Sequence, residues 1–218
     1  MEYIDENKRQ PAILIVEETL ANATQIRKMN RALECMQKER DYPQIDICIV
    51  GFNSECAGLL QEFSLLEDVE MMKVPSAAED AADEEVSKEP YDSLAGMMLG
   101  LQVLRVKLEA YDKEGIEYYP PVAFLLADEK TLHAADAAGR QPVNPAALMA
   151  FAADFADVEC PHLHIFSSED ADGGVLPYWL EWPLTAALPA SFKNVDVDEA
   201  DMHWMNIQAF YTARSEEE

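Results

Sequence analysis

The stretch PAILIVEETLAN, residues 11–22, decides the fold of this chain. Its four central apolar residues run directly into two carboxylates, Glu17 and Glu18, and then a hydroxyl at Thr19. A strand that is apolar on both faces is typical of the middle of a parallel sheet. Oxygen-bearing side chains at its carboxyl end lie where open α/β sheets keep their ligand sites. The stretch therefore predicts a central strand followed by a functional loop.

A second stretch of the same design occurs at residues 122–127, where VAFLLA runs into Asp128. The carboxyl ends of parallel strands meet at one edge of a sheet, so we expect Glu17 and Asp128 to lie near each other. Two carboxylates in such a place repel each other unless a cation separates them, and one of them then takes up a proton more easily.

Apolar periodicity and turn residues divide the rest of the chain into alternating strands and helices. We predict strands at residues 12–17, 45–52, 70–74, 122–127, 162–167 and 192–197, and helices at 22–40, 91–111, 145–158, 175–188 and 198–213. This alternation predicts an α/β fold: a doubly wound, mostly parallel sheet of about six strands flanked by helices, Rossmann-like in layout.

No shift in composition splits the 218 residues, so the chain reads as one large domain. We predict a flexible arm at residues 1–10, the domain at 11–213 and an acidic tail at 214–218. The acidic stretch at 75–90, rich in small residues, is predicted to be a solvated loop.

The charge balance restricts the partners. Sixteen basic residues stand against 42 acidic ones, a net charge of −26. This argues against nucleic acid and against an anionic membrane surface, and it suits basic protein surfaces or cations. No window is apolar enough to span a membrane, no secretory leader is recognisable, and the four cysteines form no C-x-x-C pair, so we expect a cytoplasmic protein.

The order of these segments resembles a von Willebrand factor A (vWA) domain, most closely the bacterial cytoplasmic group associated with tellurium resistance and chemical stress. The likeness covers residues 11–213. It rests on the order and spacing of PAILIVEETLAN, IRKMNRALECM, ICIVGFNSE, PVAFLLADE and the closing VDVDEADMHWMNIQAFYTARS.

The resemblance implies a metal-ion-dependent adhesion site, in which three loops at the carboxyl edge of the sheet hold one divalent cation. Its ligand positions correspond here to Glu17, Thr19, Ala21, Ser93 and Asp128. Mg²⁺ requires near-octahedral oxygen ligands at about 2.0–2.1 Å. Glu17 is one methylene longer than the family's aspartate, Ala21 offers no ligand, and Leu20 replaces the usual glycine. We therefore expect a degenerate site that binds Mg²⁺ weakly or not at all, and no other cofactor.

The function that this resemblance implies is a non-enzymatic module that binds another protein, in a bacterial stress response. We expect the partner to meet the sheet edge at Glu17, Thr19, Asn22, Ser93 and Asp128. The alternative is a Mg²⁺-dependent hydrolase or phosphotransfer protein that uses Glu17 and Asp128. A third hypothesis is a structural subunit that self-associates through the aromatic residues at 178–182.

Overall fold

The computed structural model describes residues 8–20, 22–38, 44–53, 56–76, 93–119, 121–127, 153, 162–166 and 192–194. Its elements are β1 (Arg9–Glu17), α1 (Ala23–Lys38), β2 (Gln44–Phe52), β3 (Ala57–Leu65), a 3-10 turn (Leu66–Asp68), α2 (Ser93–Glu114), β4 (Val122–Leu126), β5 (His162–Phe166) and β6 (Phe192–Asn194). The helices predicted at 145–158, 175–188 and 198–213, the aromatic residues at 178–182, the tail and most of the acidic loop lie outside the described residues.

The six strands form one sheet in the order β3-β2-β1-β4-β5-β6. β1 pairs in parallel with β2 and β4, and the parallel pairing continues from β4 through β5 to β6. This is the doubly wound order with its switch point beside β1. The predicted α/β fold with a mostly parallel, six-stranded sheet is confirmed. β1 begins at Arg9, so the last two residues of the predicted arm belong to the sheet.

The sheet buries apolar residues on both faces, which explains why β1, β2 and β4 read as continuous apolar runs. Alternate residues of these strands meet α2 on one face and α1 on the other. α2 approaches closely because it carries glycine where it crosses β1. A Cβ on Gly100 would lie 3.2 Å from Ile15 and 3.3 Å from Ile13.

One predicted strand is wrong. The third strand is Ala57–Leu65, which runs antiparallel to β2, and not residues 70–74. A tight turn reverses the chain, since Asn53 Oδ1 accepts a hydrogen bond from the Cys56 backbone N at 3.0 Å.

Residues 70–74 form no strand, and a helix holds their backbone instead. Asn30 of α1 donates to Met72 O at 2.8 Å and accepts from Met72 N at 2.9 Å. Gln37, two turns later, donates to Leu66 O and Val69 O. Side chains of α1 thus take the backbone groups that a neighbouring strand would otherwise have taken.

A buried ion cluster closes the amino end of the sheet. Asp46 of β2 is 5% exposed, and it accepts a hydrogen bond from the Tyr111 hydroxyl. Lys107 Nζ lies 3.2 Å from Asp46 Oδ2, and Arg9 Nη1 lies 3.7 Å from Oδ1. Burial, and then the bond to Asp46, raises the pKa of Tyr111. The cluster ties α2 to the first residues of β1 and β2.

Among the described residues, neither helix is sufficiently long and apolar to cross a lipid bilayer.

Candidate functional site

The loop after β1 closes on itself through hydrogen bonds. Thr19 Oγ1 donates to Glu17 Oε1 at 2.8 Å and accepts a long bond from the Asn22 backbone N at 3.4 Å. Glu17 is 0% exposed and Thr19 is 5% exposed. The carboxylate and the hydroxyl that the sequence predicted to meet a partner are therefore turned into the protein.

Asn22 joins the two strand ends that the sequence singled out. Its Nδ2 donates to Glu17 O at 2.9 Å and to Leu126 O at 3.2 Å, across β1 and β4. Its backbone carbonyl accepts from Ile26 N at 3.1 Å, at the start of α1. Asn22 is fully buried, and its Oδ1 makes no hydrogen bond within the part of the chain that the structure describes. These contacts give Asn22 a positioning role beneath the surface.

Leu20 is the apolar side chain of this loop that is exposed. Leu20 is 39% exposed, whereas Thr19 before it and Asn22 after it in the loop are buried. The loop therefore presents an apolar tip while the Glu17 carboxylate and the Thr19 hydroxyl bond to each other in the interior. The sequence held one signal for this difference, because position 20 is leucine where the resembled family usually has glycine.

The start of α2 lies at the same edge of the sheet. Ser93 is the first residue of this helix. One turn later, a Cβ on Gly96 would lie 2.8 Å from Phe52 Cδ1 and 3.2 Å from Ile15 Cγ2. Phe52 is the register partner of Glu17. The topology therefore brings Ser93 to the edge where the Glu17 loop lies.

Asp128 lies outside the described residues and directly follows Ala127, the last described residue after β4. Val16 and Leu126 are register partners, so β1 and β4 reach this edge level with each other. The predicted meeting of Glu17 with Asp128 stays a prediction.

The described residues do not fit a complete magnesium shell. They offer the Glu17 carboxylate, the Thr19 hydroxyl and the Asn22 amide oxygen, and the first two are hydrogen-bonded to each other. Position 21 is alanine. No group of three or more His, Cys, Asp or Glu residues that could hold a metal ion occurs within the described ranges. Six oxygen ligands in octahedral geometry would need this loop to open.

Glu18, on the other side of β1 from Glu17, has a different environment. Its backbone N donates to Phe52 O at 2.9 Å, so its side chain lies over the end of β2. A Cβ on Gly51 would collide with Glu18 Oε2 and would come within 2.8 Å of Leu60 Cδ1. The missing side chain of Gly51 thus leaves room for both the Glu18 carboxylate and the Leu60 side chain. Partial burial raises the pKa of Glu18, and the nearby Lys73 ammonium opposes the rise.

Sequence reasoning missed that Glu18 and Leu60 share the open side of Gly51, because it placed no strand at residues 57–65. It also missed the ion cluster around Asp46. A signal for that cluster was present, since an aspartate inside the apolar run IDICIV needs partners when the strand is buried.

The chain was compared with family models, curated proteins and solved structures, and only solved structures are similar to it. No family model matches the chain. No curated protein is similar to it in sequence. Among solved structures, the VWA domain of SpRpn10 is similar at 10% identity and a TM-score of 0.46, over 87% of this chain and 92% of that domain.

Two further structures are similar to the same degree. The manganese-loaded TRAP protein of Plasmodium vivax has 8% identity and a TM-score of 0.44, over 91% of this chain and 72% of its own. The open conformation of the pilus adhesin SpaC from Lactobacillus rhamnosus GG has 10% identity and a TM-score of 0.45, over 94% of this chain and 30% of its own. At such identity no site residue can be transferred, so the site rests on its own contacts.

The fold and the site define a doubly wound α/β domain. At the carboxyl edge of its sheet lies a loop in which the Thr19 hydroxyl donates a hydrogen bond to the Glu17 carboxylate.

Proposed function

We propose that this chain is a vWA-like protein–protein interaction module whose metal site is degenerate and whose contact with its partner needs no cation. The observation that carries the proposal is the inward orientation of the Glu17 and Thr19 side chains in the β1–α1 loop. Its carboxylate and hydroxyl bond to each other in the interior, and Leu20 is exposed at the tip. A loop built in this way offers the Leu20 side chain to a partner and withholds the oxygens of Glu17 and Thr19.

The burial of Glu17 also argues against the hydrolase alternative. A carboxylate that is 0% exposed cannot reach a substrate phosphate or an attacking water unless the loop rearranges. We therefore propose a non-enzymatic role. In this proposal Glu17, Thr19 and Asn22 shape the loop, and the partner touches Leu20 and the neighbouring segments that begin at Ser93 and Asp128.

Location in the cytoplasm and work in a stress response belong to the same proposal. Cys35 and Cys56 are exposed thiols without a disulfide bond. Burial raises the pKa of the Cys48 thiol to about 12, which makes it a core residue without nucleophilic character. Such thiols suit a reducing compartment.

The test is affinity capture from the native cell with the wild type and with Leu20→Asp, each in EDTA and in Mg²⁺. Val106→Asp is the matched control, because Val106 is 63% exposed on α2, well away from the loop. We expect one specific protein to be retained by the wild type and by the control in both buffers and to be lost from Leu20→Asp. Capture that requires Mg²⁺ would contradict metal independence, and equal capture by Leu20→Asp would contradict the loop as the contact site.

The enzyme alternative has its own test. Hydrolysis of p-nitrophenyl phosphate in Mg²⁺ that disappears in Asp128→Ala would overturn the non-enzymatic proposal. We expect no difference in rate between the wild type and this variant.

A further inference from the structure

The outer edge of the sheet is open at the beginning of β3. This strand stands first in the sheet order and pairs only with β2 among the described strands. Its first three residues pair in regular register, Ala57 with Phe52, Gly58 with Gly51 and Leu59 with Val50. We call residues 57–60 the edge segment.

The hydrogen bonds around the β2–β3 turn show which way the backbone of the edge segment points. Asn53 N donates to Cys56 O at 3.0 Å, so these two residues form a hydrogen-bonded pair. Pairs in an antiparallel ladder alternate, so Phe52 and Ala57 come next as a pair without hydrogen bonds to each other. Phe52 O agrees with this, since it accepts from Glu18 N on the β1 side at 2.9 Å. The N–H and C=O groups of Ala57 therefore point away from β2.

Four backbone groups are thus left on the open edge. By the same alternation, the N–H and C=O of Leu59 point outward like those of Ala57. None of these four groups forms a hydrogen bond with a residue in the part of the chain that the structure describes. Two residues along a strand span about 6.8 Å, which is the spacing at which a neighbouring strand bonds. Residues 57–61 also lack the prolines and charges that commonly protect such an edge, so the edge segment can template one more strand.

Two exposed leucines flank this edge on opposite faces of the sheet. Leu59 is 42% exposed and pairs with Val50, which lies in the core against α2. Leu60 is 48% exposed and lies toward Gly51, where a Cβ would come within 2.8 Å of Leu60 Cδ1. Gly51 pairs with Val16, which lies in the core against α1. A ligand on one face would cover one leucine, whereas an added strand covers both, because its successive side chains point to opposite faces.

A bulge limits the length of the added strand. Leu59 pairs with Val50 and Gln61 pairs with Ile49, so Leu60 is an extra residue between them. Bulges bend an edge strand and end its regular pairing. The regular part of the edge therefore accommodates a short strand of about three or four residues.

Sequence and charge argue for another protein as the occupant of this edge. The acidic stretch at 75–90 has no two adjacent large aliphatic residues to cover both leucines. A second copy carries the same net charge of −26, so two copies repel each other. We infer that the edge segment binds a short extended segment of another protein, which carries two adjacent aliphatic residues and joins the sheet as an additional strand. Main-chain hydrogen bonds give such a contact its affinity, and the side chains on the two faces give it selectivity.

The probe is a seven-residue peptide of serine and threonine with valine and isoleucine at its centre, in two N-methylated isomers. Methyl groups on the second, fourth and sixth residues leave one edge of the peptide free, whereas methyl groups on the third, fourth and fifth block both edges. The isomers share their composition and differ only in their main-chain donors. Fluorescence anisotropy with the full chain should show the alternately methylated isomer binding at least about tenfold more tightly, the effect of two or three hydrogen bonds. Equal binding of the two isomers would overturn the inference.

Substitutions locate the binding on the edge. Ala57→Pro removes an outward N–H that no described strand uses, so it should keep the ladder to β2 and weaken the alternately methylated isomer several-fold. Leu59→Asp and Leu60→Asp should each weaken it about tenfold, because one leucine lies on each face. Val106→Asp changes an exposed apolar residue of α2 and is the control that should leave binding unchanged. Melting curves check folding, and if Ala57→Pro does not fold, the leucine variants and the two isomers still decide.

Other modes of binding would give other results. Weaker binding in only one of the two leucine variants would place the peptide on one face of the sheet. Concentration-dependent dimers that Ala57→Pro abolishes would assign the edge to a second copy. Binding that occurs only after deletion of residues 75–90 would assign it to that stretch. Each of these results overturns the inference.

The edge segment is independent of the proposed function, because Leu20 is not part of it. We expect the alternately methylated isomer to bind Leu20→Asp as tightly as the wild type. Binding that is lost in Leu20→Asp would place the peptide on the β1–α1 loop and overturn the inference, whereas capture of the native partner tests the loop alone.

Discussion

Glu18 differs from Glu17 in the same loop because its carboxylate is only partly buried, beside the open side of Gly51. Burial is the larger influence and raises its pKa above the ordinary 4.5, and Lys73 acts in the opposite direction. A carboxyl whose pKa is higher in the folded than in the unfolded state binds protons more tightly when folded. Its contribution to stability is therefore greatest at low pH and falls as the pH rises from the unfolded pKa to the folded one.

This gives a prediction for Glu18→Gln. The variant cannot ionise, so it should gain stability relative to the wild type as the pH rises from about 4, and the gain should level off above the folded pKa. Urea unfolding of both proteins between pH 4 and pH 8 measures the difference. Glu34→Gln removes an exposed charge from α1 and is the control for the effect of losing an ordinary surface carboxylate. A difference that shrinks with rising pH would mean that Lys73 outweighs burial.

At the scale of elements, the Asp46 cluster fixes the far end of α2. Asp46→Asn removes the charge shared by Lys107 and Arg9 while it keeps an acceptor for Tyr111. We expect a loss of about 2 kcal/mol in the free energy of unfolding, less than for fully buried pairs, because both basic groups remain about a quarter exposed.

Tyr111→Phe isolates the hydrogen bond within the same cluster. It should cost about 1 kcal/mol, and the double variant should cost less than the two single losses together, because the residues share one network. Chemical denaturation of the four proteins measures this coupling. Strictly additive losses would show that the hydroxyl and the ion pairs act independently.

The close approach of α2 to the sheet makes a second prediction at this scale. A Cβ on Gly96 would meet the buried ring of Phe52 at 2.8 Å, whereas one on Gly100 would meet isoleucine methyls at 3.2–3.3 Å. Gly96→Ala should therefore lose about 1 kcal/mol, since overpacking outweighs the gain in helix propensity. Gly100→Ala should be closer to neutral. Gly58→Ala, with no neighbour within 4 Å, is the control, and a Gly96→Ala protein more stable than the wild type would contradict the packing.

The elements that sequence could predict are those whose signal is local. β1, β2 and β4 are mostly apolar because both faces are covered, and their boundaries were found within a few residues. β3 was not predicted, because an edge strand is partly exposed to solvent and its residues do not alternate cleanly between apolar and polar. Residues 70–74 were mistaken for a strand because their burial comes from α1, which sequence cannot reveal.

The site divides in the same way. Glu17, Thr19 and Asn22 could be singled out because they follow an apolar strand within six residues. Which of them face inward depends on the partners that tertiary packing brings, such as Leu126 O for Asn22. The inward turn of the polar groups and the exposure of Leu20 were therefore beyond the sequence pattern.

For the whole molecule, the dominant property is its net charge of −26. Like charges in a compact state repel, and the unfolded chain relieves this by expansion. At about 10 mM salt the screening length is about 30 Å, comparable with a small domain, and at about 0.1 M it falls to about 10 Å. We therefore expect the melting temperature to rise with NaCl over this range and to flatten above it.

Divalent salt separates screening from specific binding. At equal ionic strength, MgCl₂ should raise the melting temperature of the wild type and of Thr19→Val by the same amount, because the Thr19 hydroxyl is bonded to Glu17 and is not a ligand in the proposed metal-free state. A specific site would instead add a rise that grows with the logarithm of Mg²⁺ concentration above its Kd. If that additional rise occurs in the wild type and disappears in Thr19→Val, the loop opens to hold a cation, and the metal-independent contact through Leu20 must be given up.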